Sequence, residues 1–294
     1  MIFKDVTLKH VAWGRSEFHW PRRLIRPPVV ALRHRGLRES DVFLAHYPRS
    51  GGTWTRLMVT ELLLGGEVGF RLTSKTMPII GEHRPAPPVL PDGGRLITTH
   101  EQFRSEYAKA IVVVRDVRDV LVAYYHLLQL AKGYPIPLDD FVELFVHGRL
   151  DGFGPWHEHT RSWVEASDGE ASVLIVRYED LRTSTAEQLG VIGTFLGLDL
   201  SARDLDAIVA HHSLTRTKEK ERQEQDHFGT WVGRKGMETG TVRKGKVGDW
   251  RSVLEPRHLD ALAPAEPMLT RLGYPPLWGE HPTHESLPVS SAGA

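Results

Sequence analysis

An apolar run, Val42-Phe43-Leu44-Ala45, passes directly into Tyr47-Pro48-Arg49-Ser50-Gly51-Gly52-Thr53-Trp54. The next stretch, Thr53–Leu64, has helical spacing and stops at Gly65-Gly66. The order reads as buried strand, tight loop, helix. Small residues at 50–53 let successive backbone N–H groups point into one concavity, and the helix adds the positive end of its dipole. That is an anion cradle. Arg49 sets a cation beside it, and the Ser50 and Thr53 hydroxyls can donate to a bound anion. A glycine-containing strand-to-helix turn with no ligand has the same local pattern.

The cradle is not a nucleotide-triphosphate P-loop, which needs Gly, four residues, then Gly-Lys-Ser/Thr. Here the cation precedes the glycines, and no Ser or Thr follows a Lys to hold magnesium. Trp54 opens the helix instead, where an indole face can stack on a purine.

The alternation continues along the chain. Arg95–Thr99, Ala110–Arg115 and Ser172–Tyr178 read as strands. Val117–Leu130, Leu138–His147, Trp156–Ala166 and a segment from about Asp180 to Leu196 read as helices,. Pro78 to Gly94 is a loop. Strands separated by helices predict an α/β fold with a central parallel sheet flanked by helices. The expected organisation is a basic arm at 1–40, one domain at 41–279 and a disordered tail at 280–294. Thr215–Gly248 is polar, with a dense charge run from Lys218 to Asp226 that suits a solvated helix face or a mobile loop,.

Composition limits the partners. With 294 residues, 40% of them hydrophobic, the chain can bury a full core,. Lys plus Arg equals Asp plus Glu at 37 each, so global charge gives no reason to expect a nucleic-acid partner,. Any anion site must be local. The absence of cysteine excludes disulfides, thiolate catalysis and Cys-based zinc sites, and fits a cytoplasmic protein,. No apolar run reaches the roughly 18 residues that suggest a membrane span.

Two further segments add specificity: Ile111-Val112-Val113-Val114-Arg115 running on to Ala123-Tyr124-Tyr125-His126, and Arg243-Lys244-Gly245-Lys246-Val247-Gly248-Asp249-Trp250-Arg251. With Tyr47–Trp54 they resemble the cofactor-binding set of the sulfotransferases that use 3′-phosphoadenosine 5′-phosphosulfate, PAPS, in that family's order and at about its spacings. The family pattern is Tyr-Pro-Lys-Ser-Gly-Thr-Thr-Trp for the first loop, an Arg leading to Ser-Tyr-Tyr-His for the second, and Arg-Lys-Gly, two residues, Gly-Asp-Trp for the third.

The resemblance implies a P-loop-like three-layer fold and sulfuryl transfer from PAPS to a hydroxyl of a small-molecule acceptor, with no metal. It implies that Arg49, Ser50, Gly51, Gly52, Thr53 and Trp54 meet the 5′-phosphosulfate and adenine. Arg115, Arg243, Lys244 and Gly245 would hold the 3′-phosphate, and Tyr178 would contact the adenine. His100, in Thr98-Thr99-His100, matches the family's catalytic base, and an imidazole with a pKa near physiological pH suits that role.

The chain departs from the pattern in places. Arg49 replaces a Lys and, as a guanidinium, cannot donate a proton. Ala123 replaces a Ser that contacts the cofactor. The family's short dimerisation pattern is not recognisable in Arg251–Asp260. Two other readings stay open at this point: a nucleotide-dependent kinase, and a non-catalytic binder of adenosine 3′,5′-bisphosphate.

Overall fold

The computed structural model describes residues 29–132, 136–169, 172–201, 203–224 and 245–278. Its centre is a parallel sheet of β1 (Val42–His46), β2 (Leu96–Thr99), β3 (Lys109–Val114) and β4 (Ser172–Arg177), in the order β2-β1-β3-β4. Register runs Val42 to Leu96 on one side of β1 and Val42 to Lys109 on the other. β1 is therefore central, and this explains its unbroken apolar sequence. Phe43 and Ala45 enter one core with Ile97, Val112 and Val114. Val42 and Leu44 enter the opposite core with Leu96, Ile111 and Val113. A strand buried on both faces has no polar side to show.

The helices complete two outer layers. They are α1 (Gly52–Leu64), α2 (Phe70–Thr76), α3 (Val117–Lys132), α4 (Leu138–Val146), α5 (Trp156–Ser167), α6 (Tyr178–Thr183), α7 (Thr185–Phe195), α8 (Leu205–His211), α9 (Leu214–Gln223), α10 (Pro256–Ala261) and α11 (Glu266–Arg271). α1 and α7 cover one face, where Met58, Leu62, Leu189 and Ile192 are buried. α3, α4 and α5 cover the other through Leu121, Phe141 and Trp163.

Most boundaries shift from the sequence reading by one or two residues, and two differences bear on the site. β4 stops at Arg177, and Tyr178 opens α6. The single helix expected over Asp180–Leu196 is two, broken at Ser184 with φ −133° and ψ 52°. The Thr185 hydroxyl donates to the Leu181 carbonyl at 2.7 Å. Adjacent Ser and Thr compete with the helix ladder for backbone partners, so they favour a helix end over an interior.

Residues 29–40 lie against the domain. Arg33 pairs with Glu101 at 2.9 Å and donates to the Ile80 carbonyl at 3.0 Å. Most of the expected arm, 1–28, and the expected tail, 280–294, lie outside the described residues.

Candidate active site

The connections out of β1 and β3 run to opposite edges of the sheet, so the crevice between these two strands is its topological switch point, where ligands of such folds sit. The chain places Arg49 just past β1 and Arg115 just past β3. The two are joined: Arg115 Nη1 donates to the Arg49 carbonyl at 3.2 Å. Arg49 has φ +71°, the one non-glycine residue with positive φ among those described. Holding a side-chain-bearing residue there costs about 1–2 kcal/mol, strain of the kind that gathers at functional sites.

Gly51 needs its lack of side chain for two reasons. Its φ is +96°, and a Cβ would lie 2.3 Å from the Tyr178 ring. Gly52 does not have positive φ, but its Cβ would lie 2.0 Å from His46 Nε2 and as close to the rest of that ring. In the family pattern a Thr stands at this position; here the His46 ring takes the volume.

Arg115 is the hub. Its guanidinium lies over the Tyr178 ring, 4.4 Å from the centroid. Its Nη2 donates to the Lys246 carbonyl at 3.2 Å and stands 3.7 Å from Asp119. An ion pair with Asp119, four residues on, is thus present together with the loop contacts. Asp119 itself is spent on the late loop, accepting from Gly248 N at 2.7 Å and Trp250 N at 3.1 Å. Gly245, with φ +59°, sits where a Cβ would meet Leu214 at 3.5 Å and the Tyr178 hydroxyl at 3.7 Å. Arg243 and Lys244 lie outside the described residues.

Trp54 is held rather than loose. Its indole N–H donates to the His212 carbonyl at 2.7 Å. Tyr178 stands edge-on to it at 6.2 Å, and the Arg182 guanidinium lies 5.1 Å from its ring. His212 is fixed in turn by Glu61, whose two oxygens meet His211 Nδ1 at 2.6 Å and His212 Nε2 at 2.7 Å.

The residues fit an anionic nucleotide. Ser50 Oγ and Arg115 Nε are buried and have no hydrogen-bond partner among the described residues. Both lie at the crevice between β1 and β3, and burying such groups unpaired is costly unless a ligand meets them. Among the described residues no three His, Asp or Glu side chains gather as metal ligands would.

His100 follows β2, and its Nδ1 lies 2.9 Å from the His46 carbonyl. A carbonyl only accepts, so Nδ1 carries the hydrogen and Nε2 keeps its lone pair. Phe153 stands edge-on to the imidazole at 5.3 Å. Burial pushes the pKa of His100 down to about 4, below the near-physiological value expected from sequence. The ring is therefore neutral at physiological pH, as a base must be. An anion brought beside it raises its affinity for a proton.

The structure thus brings Arg49, Ser50, Gly51, Gly52, Thr53, Trp54, Arg115, Tyr178 and Gly245 into one region, with His100 hydrogen-bonded to the last residue of β1. Sequence reasoning missed Arg182, the Glu61–His212 support of Trp54, and His46. His212 contributes a backbone carbonyl to Trp54, which carries no side-chain signature.

The sulfotransferase domain model matches residues 39–264. Among curated relatives, sulfotransferase 1A1 of Mus musculus is 29% identical over 242 residues, covering 75% of this chain and 82% of that protein. The amine sulfotransferase of Oryctolagus cuniculus is 27% identical over 229 residues, covering 73% and 75%. Among solved structures, a mouse sulfotransferase complexed with PAP superposes with TM-score 0.61 at 23% identity, covering 82% of this chain and 87% of that one. Retinol dehydratase in a complex with retinol and PAP gives 0.63 at 22% identity, covering 83% and 86%. At these identities the structures speak for the fold.

Proposed function

The chain belongs to the sulfotransferase domain family and is a PAPS-dependent sulfotransferase of small-molecule acceptors; on that premise we propose that the acceptor atom is a hydroxyl oxygen and that the residues divide the work as follows. PAPS supplies a sulfuryl group activated by its 5′-phosphate. The loop 49–53 and the start of α1 hold that end with backbone N–H groups, the Ser50 hydroxyl and Arg49. Arg49 stabilises the negative charge that grows on the leaving oxygen, without donating a proton. Arg115, with Arg243, Lys244 and Gly245, meets the 3′-phosphate. Trp54 and Tyr178 flank the adenine.

His100 Nε2 takes the hydroxyl proton as the new O–S bond forms. The observation that carries this role is the Nδ1 contact to the His46 carbonyl, which fixes the tautomer with a free Nε2,. A protein that only bound the nucleotide would have no use for a base so oriented.

The donor site works without a metal, since guanidinium groups and amides do the charge neutralisation. The protein acts in the cytoplasm, as one domain over 41–279. No described helix is long and apolar enough to cross a membrane. The test is incubation with labelled PAPS and a library of alcohols and phenols, with and without chelator. Mass gain of one sulfate on a hydroxyl compound, unaffected by chelator, is the expected result. Transfer confined to amines, or lost with chelator, refutes the respective part.

A further inference from the structure

Three imidazoles gather behind the phosphosulfate loop. His46 closes β1, His100 follows β2 and His159 sits in α5. His46 and His100 meet edge-to-face, with centroids 4.3 Å apart and planes at 89°. His159 stands edge-on to Tyr47, the loop's first residue, at 5.3 Å. The base and the loop are thus separated by one side chain, His46. One side of its ring faces His100, and its Nε2 side occupies the space where a side chain on Gly52 would be. Its own carbonyl takes the His100 hydrogen bond.

We propose that His46 is a positioning residue for the transfer, its ring acting as a spacer that fixes His100 relative to the donor loop. The inference rests on His100 being the base. Gly52 is the other half of the device. With φ not in the left-handed region, it gains room from being glycine, and the three atoms nearest that room all belong to the His46 ring. One residue therefore restrains His100 twice. The carbonyl sets which nitrogen carries hydrogen, and the ring, meeting His100 edge-to-face as aromatic pairs prefer, sets the plane. A small error in that plane matters, because misplacing reacting groups by about 1 Å can cost 10²-fold in rate.

The ring also keeps His100 dry. The charged and titratable groups that reach His100 are Arg56 of α1, Glu101 beside it, Arg33 paired with Glu101, and the imidazoles of His46 and His159. Burial is the largest influence on its pKa. Deleting the His46 ring opens a cavity lined partly by polar atoms, which water can enter.

The test uses the full chain, with PAP binding by calorimetry and steady-state kinetics across pH. His46→Ala should leave PAP affinity within about threefold and lower kcat by about 10–100-fold. It should also move the acid limb of kcat/KM upward, toward the ordinary histidine value. His46→Phe refills the volume and should recover most of kcat and the original limb. Gly52→Ala adds a methyl into the ring and should be impaired alone. Combined with His46→Ala, which removes the clash, it should fall no further than His46→Ala does, a non-additivity expected only of touching residues.

A folded His46→Ala enzyme with wild-type kcat and pH profile overturns the proposal. So does a Phe variant as poor as the Ala one, or additive losses in the pair. If His46→Ala does not fold, His46→Phe and Gly52→Ala still decide, since the spacer reading requires the first active and the second impaired. His100→Ala run in parallel separates the premises. Full activity there removes the base assignment, whereas loss there with an indifferent His46 removes the spacer alone.

Discussion

Arg95 and Arg115 are both buried, and they stand at opposite ends of the same parallel sheet, Arg95 just before β2 and Arg115 just after β3. Arg95 is fully engaged. It donates to both Asp41 oxygens, at 2.8 and 2.6 Å, and to the His83 and Gly36 carbonyls at 3.2 and 2.9 Å. Arg115 donates to two carbonyls, each at 3.2 Å, and its Nε has no partner among the described residues. Its nearest acid, Asp119, is occupied by Gly248 and Trp250. One end of the sheet closes its electrostatics internally. The other pairs Arg115 with Asp119 only at 3.7 Å and leaves its Nε donor unmet, which suits an end that receives an anionic nucleotide. The lesson is that burial alone does not identify a functional arginine; its place at the switch point together with its unmet donor sets Arg115 apart from Arg95.

The contrast can be broken most forcefully at the base. His100→Ala should lower turnover by about 10²–10⁴-fold, the usual worth of a positioned base, while PAP affinity and melting temperature hold. Near-wild-type turnover in a folded variant would place the chemistry elsewhere.

At the opposite end, Asp41→Ala strands a buried guanidinium and should cost about 3–5 kcal/mol of stability. Urea midpoints measure it. Activity of the molecules that remain folded should be unchanged, and a selective loss of PAP binding would erase the division of labour between the two ends.

Arg115→Ala sharpens the comparison from the other side. Deleting a charged hydrogen bond should weaken PAP by about 1.5–3 kcal/mol, measured on the folded fraction because the change also unpairs buried Asp119,. An analogue lacking the 3′-phosphate should bind almost as before. Equal losses for both nucleotides would mean Arg115 does not meet that phosphate.

The last effect is in acid. Burial holds His100 at about 4 and His159 at about 3, and keeps His46 well below the usual value. Each folded value lies below the unfolded one, about 6.5, so the unfolded chain binds more protons between them. Their contribution to stability is complete above pH 6.5 and is lost as pH falls toward 4 and then 3. Melting temperature should decline over that window, less steeply in His46→Phe, and a flat profile would show these imidazoles are not buried neutral.

Much of this was legible in the sequence, and the reasons are local. β1 announced itself because a strand covered on both faces must be apolar throughout, and the loop after it because Gly51 and Gly52 are adjacent. Arg115 and His100 were marked by the family resemblance, and with Arg49 they stand just past the ends of β3, β2 and β1. Other features depend on packing between distant segments. Nothing in Gly52 tells that its missing side chain makes room for His46, six residues earlier on the other side of the loop. Glu61 reads as one more helix acid until α8 brings His211 and His212 to it. The short helices α2 and α8, each of seven residues, are too brief for a periodic pattern to show.

The clasp on the late loop has a consequence for how the protein is made. Arg115 reaches Lys246 across 131 residues, and Arg118 donates to Pro275 and Pro276 across 157 and 158. A ribosome emits β1, β2, β3 and their helices long before either partner exists. The nascent chain therefore carries a loop with the shape of an anion cradle but no second wall until Lys246 and Gly248 have been added. A chain released early, before Gly248, would lack the loop residues that Asp119 holds.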